Sequence, residues 1–125
     1  MKSIISTNNA PKAIGPYSQA VEARGTLYIS GQIPMNPQTG EIVDGGIAEQ
    51  TEQVMKNIGA ILKAAGYTFD DVVKSTVLLS DIQNFGAMNE VYGKYYSTNP
   101  PARAAYAVAS LPLGVLVEIE TIAVK

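Results

Sequence analysis

The sequence predicts one α+β domain in which two helices cover one face of a mixed, six-stranded β-sheet. The order of elements indicates this, because three strands precede a helix, a strand, a second helix and two final strands. The chain has 125 residues, which suits a single hydrophobic core. Since 46% of the residues are apolar and 16% are charged, we expect a globular domain over residues 1–125 with few surface charges.

The first three strands are predicted before any helix begins. Ile4–Ser6 is a short candidate strand, and the Pro and Gly content of residues 9–16 indicates a loop after it. Tyr17–Glu22 and Thr26–Ser30 are expected to pair as a hairpin, because a turn fits at Ala23-Arg24-Gly25.

Helical periodicity and β-branched residues divide the second half into two helices and three strands. Gly66 is well placed to end the first helix, and Ser80 or Asp81 to cap the second. The predicted bounds are helix Ile47–Ala65, strand Val72–Leu79, helix Ile82–Tyr96, and strands Arg103–Ala109 and Val115–Val124.

The last strand has apolar residues on both of its faces. Val117 and Ile119 alternate with Glu118 and Glu120, but further along Ile122 and Val124 follow the glutamates' side of the strand. Two helices on one side of the sheet leave the other side uncovered. We therefore expect the open face to pack against further copies of the chain.

The composition excludes several kinds of chemistry. The chain has no Cys and no His, so it offers no thiol nucleophile, no Ser–His pair and no common metal ligand of either type. The net charge of −2 and the lack of a Lys/Arg cluster argue against nucleic-acid binding. No apolar run reaches membrane-spanning length and no secretory signal is present, so a cytoplasmic protein is predicted.

Arg103 is the strongest candidate for a binding residue. It is the only charged residue between Lys94 and Glu118, and its neighbours are small and apolar. A charge in such surroundings needs a partner, and the guanidinium fork fits a carboxylate. The partner is either Glu118 or Glu120 of the same chain or the carboxylate of a ligand. A further structural alternative is a side chain that snorkels to the solvent at a strand end.

Three spaced motifs resemble those of the Rid family of reactive intermediate deaminases. They are Ala13–Gln19 (AIGPYSQ), Ser30–Pro34 (SGQIP), and Pro101-Ala102-Arg103 with Val117-Glu118-Ile119. The resemblance covers essentially the whole chain and implies a chorismate-mutase-like fold and a homotrimer with sites between subunits. It also implies hydrolysis of 2-enamine and 2-imine acids, such as 2-aminoacrylate and 2-iminobutyrate, to 2-keto acids and ammonia, with no cofactor and no metal.

The resemblance assigns roles to seven positions: Tyr17, Ser30, Gly31, Asn89, Arg103, Ala105 and Glu118. Arg103 would bind the substrate carboxylate, Glu118 would orient the attacking water, and Tyr17 would donate a hydrogen bond. Ser30, Asn89 and the backbones at Gly31 and Ala105 would line the substrate site.

Structural roles for the same residues remain alternatives. Tyr17 would serve equally as a packing residue, Ser30-Gly31 as a β-bulge and Asn89 as an exposed helix residue. Glu118 and Glu120 would be solvated or ion-paired residues near a sheet edge, and Glu120 is expected to be structural or to lie at the rim of the site. Many relatives carry Cys where this chain has Ala105. A non-catalytic module that binds small carboxylates or regulates another protein through the Arg103 pocket is therefore the second hypothesis.

Overall fold

Six strands and two α-helices make up the computed structural model, which describes residues 1–125 in full. The strands are β1 Ser3–Ile5, β2 Ala20–Ala23, β3 Thr26–Gln32, β4 Val72–Leu79, β5 Ala102–Ala107 and β6 Val117–Val124, and the helices are α1 Ile47–Ala65 and α2 Phe85–Tyr95. The predicted α+β class is confirmed. The first helix begins and ends at the predicted residues.

The strand order in the sheet is β1-β2-β3-β6-β4-β5, so the last strand of the chain lies in the interior of the sheet. β4 and β5 are parallel, which the α2 crossover between them allows, and all other neighbours are antiparallel. The sheet is mixed, as predicted. This order places β6 directly beside β3 and leaves β5 as an edge strand.

The hydrophobic core lies between the helices and one face of the sheet. Val117, Ile119 and Ala123 of β6 are completely buried there. Helix α1 supplies its apolar side to the same core, with Val54, Met55, Ile58, Ile61 and Leu62. Each such side chain contributes about 1.5–3 kcal/mol by burial, which is why the amphipathic pattern fixes the helix so well.

The opposite face of the sheet is open and largely apolar. Its side chains alternate with the core residues along each strand, and Tyr28, Tyr106 and Val124 are each 45–50% exposed. Glu118 and Glu120 lie on this face of β6, as the alternation predicts. Packing of this face against other subunits stays a prediction.

Several strand and helix boundaries were predicted wrongly. The strand predicted from Tyr17 begins at Ala20, because the buried Gln19 amide donates to the carbonyls of Thr7, Ala10 and Pro11 and holds this segment as a loop. The strand predicted from Val115 begins at Val117, since a 3₁₀ turn precedes it.

The second helix and the fifth strand also differ at their ends. Ile82–Asn84 is a 3₁₀ turn, capped by the Asp81 carboxylate as predicted, and the α-helix begins after it. β5 ends at Ala107 instead of Ala109, and its pairing with β4 ends at the same point.

Candidate active site

The Arg103 guanidinium is held by uncharged groups only. Its Nη1 donates a hydrogen bond of 2.6 Å to Asn89 Oδ1, and its Cζ lies 4.9 Å from the ring centroid of Tyr92 and 5.4 Å from that of Phe85. Neither Glu118 nor Glu120 is among these partners. An ion pair within the chain, one of the interpretations of the sequence, is therefore not what holds Arg103.

Strand β5 and helix α2 position this group together. Arg103 pairs with the buried Ser75 of β4, so its side chain lies on the helix-covered side of the sheet. Phe85, Asn89 and Tyr92 follow one another at intervals of four and three residues, which places them along one face of α2. This face meets the arginine at the edge of the sheet.

Glu118 lies in a different place, above Gly31 on the open face. A Cβ built on Gly31 would stand 3.0 Å from Cδ and 3.2 Å from Cγ of Glu118, which is too close for an ordinary contact. Gly31 belongs to a register shift between Ile29 and Gln32, an interruption of the strand pairing that agrees with the β-bulge alternative. The missing side chain of Gly31 leaves the space that the Glu118 carboxylate occupies.

The two glutamates of β6 differ in their surroundings. Glu118 is half-buried and Glu120 is exposed. Burial raises the pKa of Glu118 above its ordinary value, and the negative charge of Glu120 raises it further. A carboxyl group with a raised pKa exchanges protons more readily near neutral pH, which suits general acid–base chemistry.

Tyr17 and Ser30 lie on the same side of the molecule as Gly31. Tyr17 is half-exposed in the loop before β2, and with Gly31, Ile33 and Met35 it lines a concave surface. The Ser30 hydroxyl donates to the Ser18 carbonyl at 2.6 Å. That hydrogen bond fixes the Tyr17 loop against β3.

The seven predicted residues form two groups that one chain does not bring together. Tyr17, Ser30, Gly31 and Glu118 lie around β3 and β6, whereas Asn89, Arg103 and Ala105 lie around α2 and β5. Strand β4 separates β6 from β5, a distance of about 10 Å.

The register adds a second separation between Arg103 and Glu118. Glu118 is level with Leu78 and hence with Tyr106, which lies three residues, about 10 Å, along β5 from Arg103. The odd spacing also puts Arg103 and Glu118 on opposite faces of the sheet. The two side chains do not converge within one protomer.

Sequence reasoning missed the aromatic contacts of Arg103. Phe85 and Tyr92 lie on the second predicted helix, and the sequence analysis gave them no role at the site. The signal that would have found them is their spacing from Asn89, four residues before it and three after it. Ala105, on the same face of β5 as Arg103, is partly buried and packs against the core.

The molecule has no group of three or more His, Cys, Asp or Glu side chains that would hold a metal ion. None of its helices combines the length and the apolar character needed to cross a membrane.

Comparisons with known proteins agree with the motifs. Residues 7–125 match the family model described as Endoribonuclease L-PSP. The chain is 56% identical over its full length to a 2-iminobutanoate/2-iminopropanoate deaminase of Homo sapiens, covering 91% of that protein. The structure superposes on a Rid family protein of Yersinia pestis, described as of unknown function, with a TM-score of 0.97 at 52% identity over 100% of both chains.

A further solved structure of the same fold contains a small ligand. E. coli TdcF with bound serine has a TM-score of 0.94 at 42% identity, with 98% of both chains covered. These matches confirm the resemblance that the three motifs indicated, and the chain belongs to the endoribonuclease L-PSP family, which includes the Rid proteins.

Proposed function

We propose that the protein hydrolyses 2-imino and 2-enamino acids, such as 2-iminobutyrate and 2-aminoacrylate, to 2-keto acids and ammonia. The surroundings of Arg103 are the observation that supports this proposal most strongly. Arg103 is held by an amide and two aromatic rings, and none of these partners neutralises its charge. The full-length similarity to a human deaminase of such imines supports the same substrate class.

A carboxylate ligand suits this arginine. The guanidinium presents five N–H donors in one plane, and Asn89 uses one of them. A 2-imino acid has its carboxylate next to the reactive C=N carbon, so binding at Arg103 would orient that carbon. The serine bound by TdcF also has an α-carboxylate.

The chemistry needs water and one group that transfers protons. Water adds to the C=N carbon, the nitrogen takes up protons, and ammonia leaves as the carbonyl forms. Glu118 accepts a proton from the attacking water and returns it to the nitrogen, which its raised pKa favours. A positioned acid–base group contributes a rate factor of about 10²–10⁴, enough for a bond that hydrolyses unaided. The reaction involves no oxidation or reduction.

The site is proposed to form between subunits of a homotrimer. Arg103 and Asn89 come from one subunit, and Tyr17, Gly31 and Glu118 come from its neighbour. The separation of these groups within one chain supports this arrangement. The apolar open face, with Tyr28 and Tyr106 half-exposed, supports contact with a further copy.

The remaining residues have supporting roles in this proposal. Tyr17 donates a hydrogen bond to the reacting end of the substrate, and the backbones at Gly31 and Ala105 contact the ligand. Ser30 orders the Tyr17 loop through its bond to the Ser18 carbonyl. The cytoplasmic location expected from the sequence stays a prediction.

The test is a coupled assay in which a threonine dehydratase generates 2-iminobutyrate in the presence of semicarbazide, which traps the imine. The wild-type protein is expected to divert the imine to 2-oxobutanoate, and Arg103→Ala to lose this activity while it remains folded. Arg24→Ala is the matched control, because Arg24 is the only other arginine and lies in the turn between β2 and β3. A wild-type protein that leaves the trapped product unchanged would contradict the proposal.

A binding module without turnover is the second candidate, and Ala105 favours it, since many relatives have Cys there. Calorimetry with 2-oxobutanoate would then show binding that depends on Arg103, without imine hydrolysis in the coupled assay. The family model's description names an endoribonuclease. The absence of His and the net charge of −2 do not support RNA cleavage by this chain.

A further inference from the structure

We propose that Tyr92 is a positioning residue whose ring, together with Phe85, holds the Arg103 guanidinium ready for a carboxylate without neutralising it. The inference rests on the proposed function, because it takes the Arg103 ligand to be the substrate carboxylate. The role assigned to Tyr92 is exerted through Arg103 and not on the reacting atoms.

The aromatic contacts hold the Arg103 guanidinium in place but leave its positive charge free to bind a carboxylate. The ring centroid of Tyr92 lies 4.9 Å from Arg103 Cζ, within the range of a cation–π contact. A ring attracts a cation through its quadrupole and carries no net charge, so the positive charge stays available. A carboxylate in the same place would compete directly with the substrate.

Tyr92 is itself fixed by its surroundings. It is 5% exposed, and its ring centroid lies 4.7 Å from that of Tyr96. Burial also raises the pKa of Tyr92, which keeps the phenol neutral beside the guanidinium. A tyrosinate here would pair with Arg103, so the neutral form preserves the binding site.

The hydroxyl of Tyr92 contributes little to this role. It faces the Ser75 hydroxyl without a hydrogen bond of regular geometry, and neither hydroxyl has another partner in the protomer. Loss of a buried hydroxyl without a partner is close to neutral or stabilising. The ring is therefore the part of Tyr92 that acts on Arg103, and Tyr92→Phe should keep its function.

The neighbouring Tyr95 offers a matched control on the same helix. Its ring packs on Phe69 at 5.1 Å, and its hydroxyl donates to Glu52 of α1. It makes no contact with Arg103. Tyr95→Leu removes an aromatic ring of equal size from α2 and so reports the general effect of weakening that helix.

The experiment measures 2-oxobutanoate binding by calorimetry and imine hydrolysis by the coupled assay for Tyr92→Leu, Tyr92→Phe and Tyr95→Leu. A cation–π contact of about 1 kcal/mol corresponds to roughly a fivefold loss of affinity. We expect Tyr92→Leu to raise Kd and KM about fivefold, with kcat within about twofold of wild type. Tyr92→Phe and Tyr95→Leu should keep wild-type Kd and KM.

Each contrary result overturns a defined part of the reasoning. An unchanged Kd in Tyr92→Leu, or an equal loss in Tyr92→Phe or Tyr95→Leu, overturns the positioning role while leaving the proposed function intact. A wild-type protein that neither binds 2-oxobutanoate nor hydrolyses the imine overturns the proposed function and this inference together. If Tyr92→Leu does not fold, Tyr92→Met replaces it, since Met fills the space without a ring.

Discussion

Gly31→Ala is the substitution that most directly tests the contact between β3 and Glu118. The new methyl group would lie 3.0 Å from Cδ and 3.2 Å from Cγ of Glu118 and would overlap the carboxylate, so that side chain must move. The neighbour that yields is the end of a flexible side chain, and the backbone φ of Gly31 is not in the left-handed region. The fold should therefore tolerate the change.

The expected magnitudes differ greatly between stability and activity. Replacing Gly by Ala within a strand gains about 0.5–1 kcal/mol, which offsets the displacement of Glu118, so Tm should change by less than about 4 °C. A displacement of about 1 Å at a reacting group costs about 10²-fold in rate. We expect kcat for 2-iminobutyrate to fall about 100-fold in a protein that unfolds at nearly the wild-type temperature.

The assay combines thermal unfolding with the dehydratase-coupled measurement of kcat. Gly86→Ala is the control, because a Cβ at Gly86 meets no atom within 4 Å. If Gly31 acts through Glu118, Gly31→Ala should lower kcat little further when it is added to Glu118→Gln. Wild-type kcat in Gly31→Ala, or full additivity of the two losses, would refute the reasoning.

The remaining predictions concern ionisable groups. Glu118→Gln should lower kcat about 10²–10⁴-fold, and Glu120→Gln should leave kcat close to wild type. If steady-state kinetics show the reverse, Glu120 and not Glu118 is the residue that transfers protons. Because the pKa of Glu118 is raised and its carboxylate form accepts the proton, log kcat/KM should fall as pH falls through a midpoint above 4.5, a limb that Glu118→Gln lacks. The Tyr67 hydroxyl donates to Glu22, and burial first and this bond second raise its pKa to about 12. The neutral Tyr67 phenol therefore makes its full contribution to the free energy of unfolding below about pH 10, and that contribution is lost as pH rises to about 12. Tyr67→Phe lacks the contribution, so denaturant titrations should show a smaller loss of stability over that interval than in wild type.

The local sequence pattern was sufficient to predict those elements whose structure depends on residues close together in the chain. The apolar spacing of Ile47–Ala65 and a glycine at position 66 defined α1, and Gly66 indeed ends it with φ 84°. Alternation along the last strand correctly separated Val117 and Ile119 from the two glutamates. These features depend on residues that are neighbours in the chain, so the sequence alone was enough to predict them.

Contacts between distant segments could not be predicted in the same way. The loop at Tyr17 depends on the Gln19 side chain reaching back to Thr7 and Pro11, and no propensity encodes that. The close approach of the Glu118 carboxylate to Gly31 follows from the pairing of β3 with β6, which are far apart in the chain. The family resemblance named the site residues, but only the topology reveals that Arg103 and Glu118 are separated in one protomer.

The central claim is that Arg103 and Glu118 act together from different subunits. Inactive Arg103→Ala and inactive Glu118→Gln proteins, mixed in equal amounts, unfolded and refolded together, test it directly. Random assembly into trimers would give about a quarter of the sites an intact arginine and an intact glutamate, so about a quarter of wild-type activity should return. A refolded mixture with no more activity than the separate variants would contradict the account.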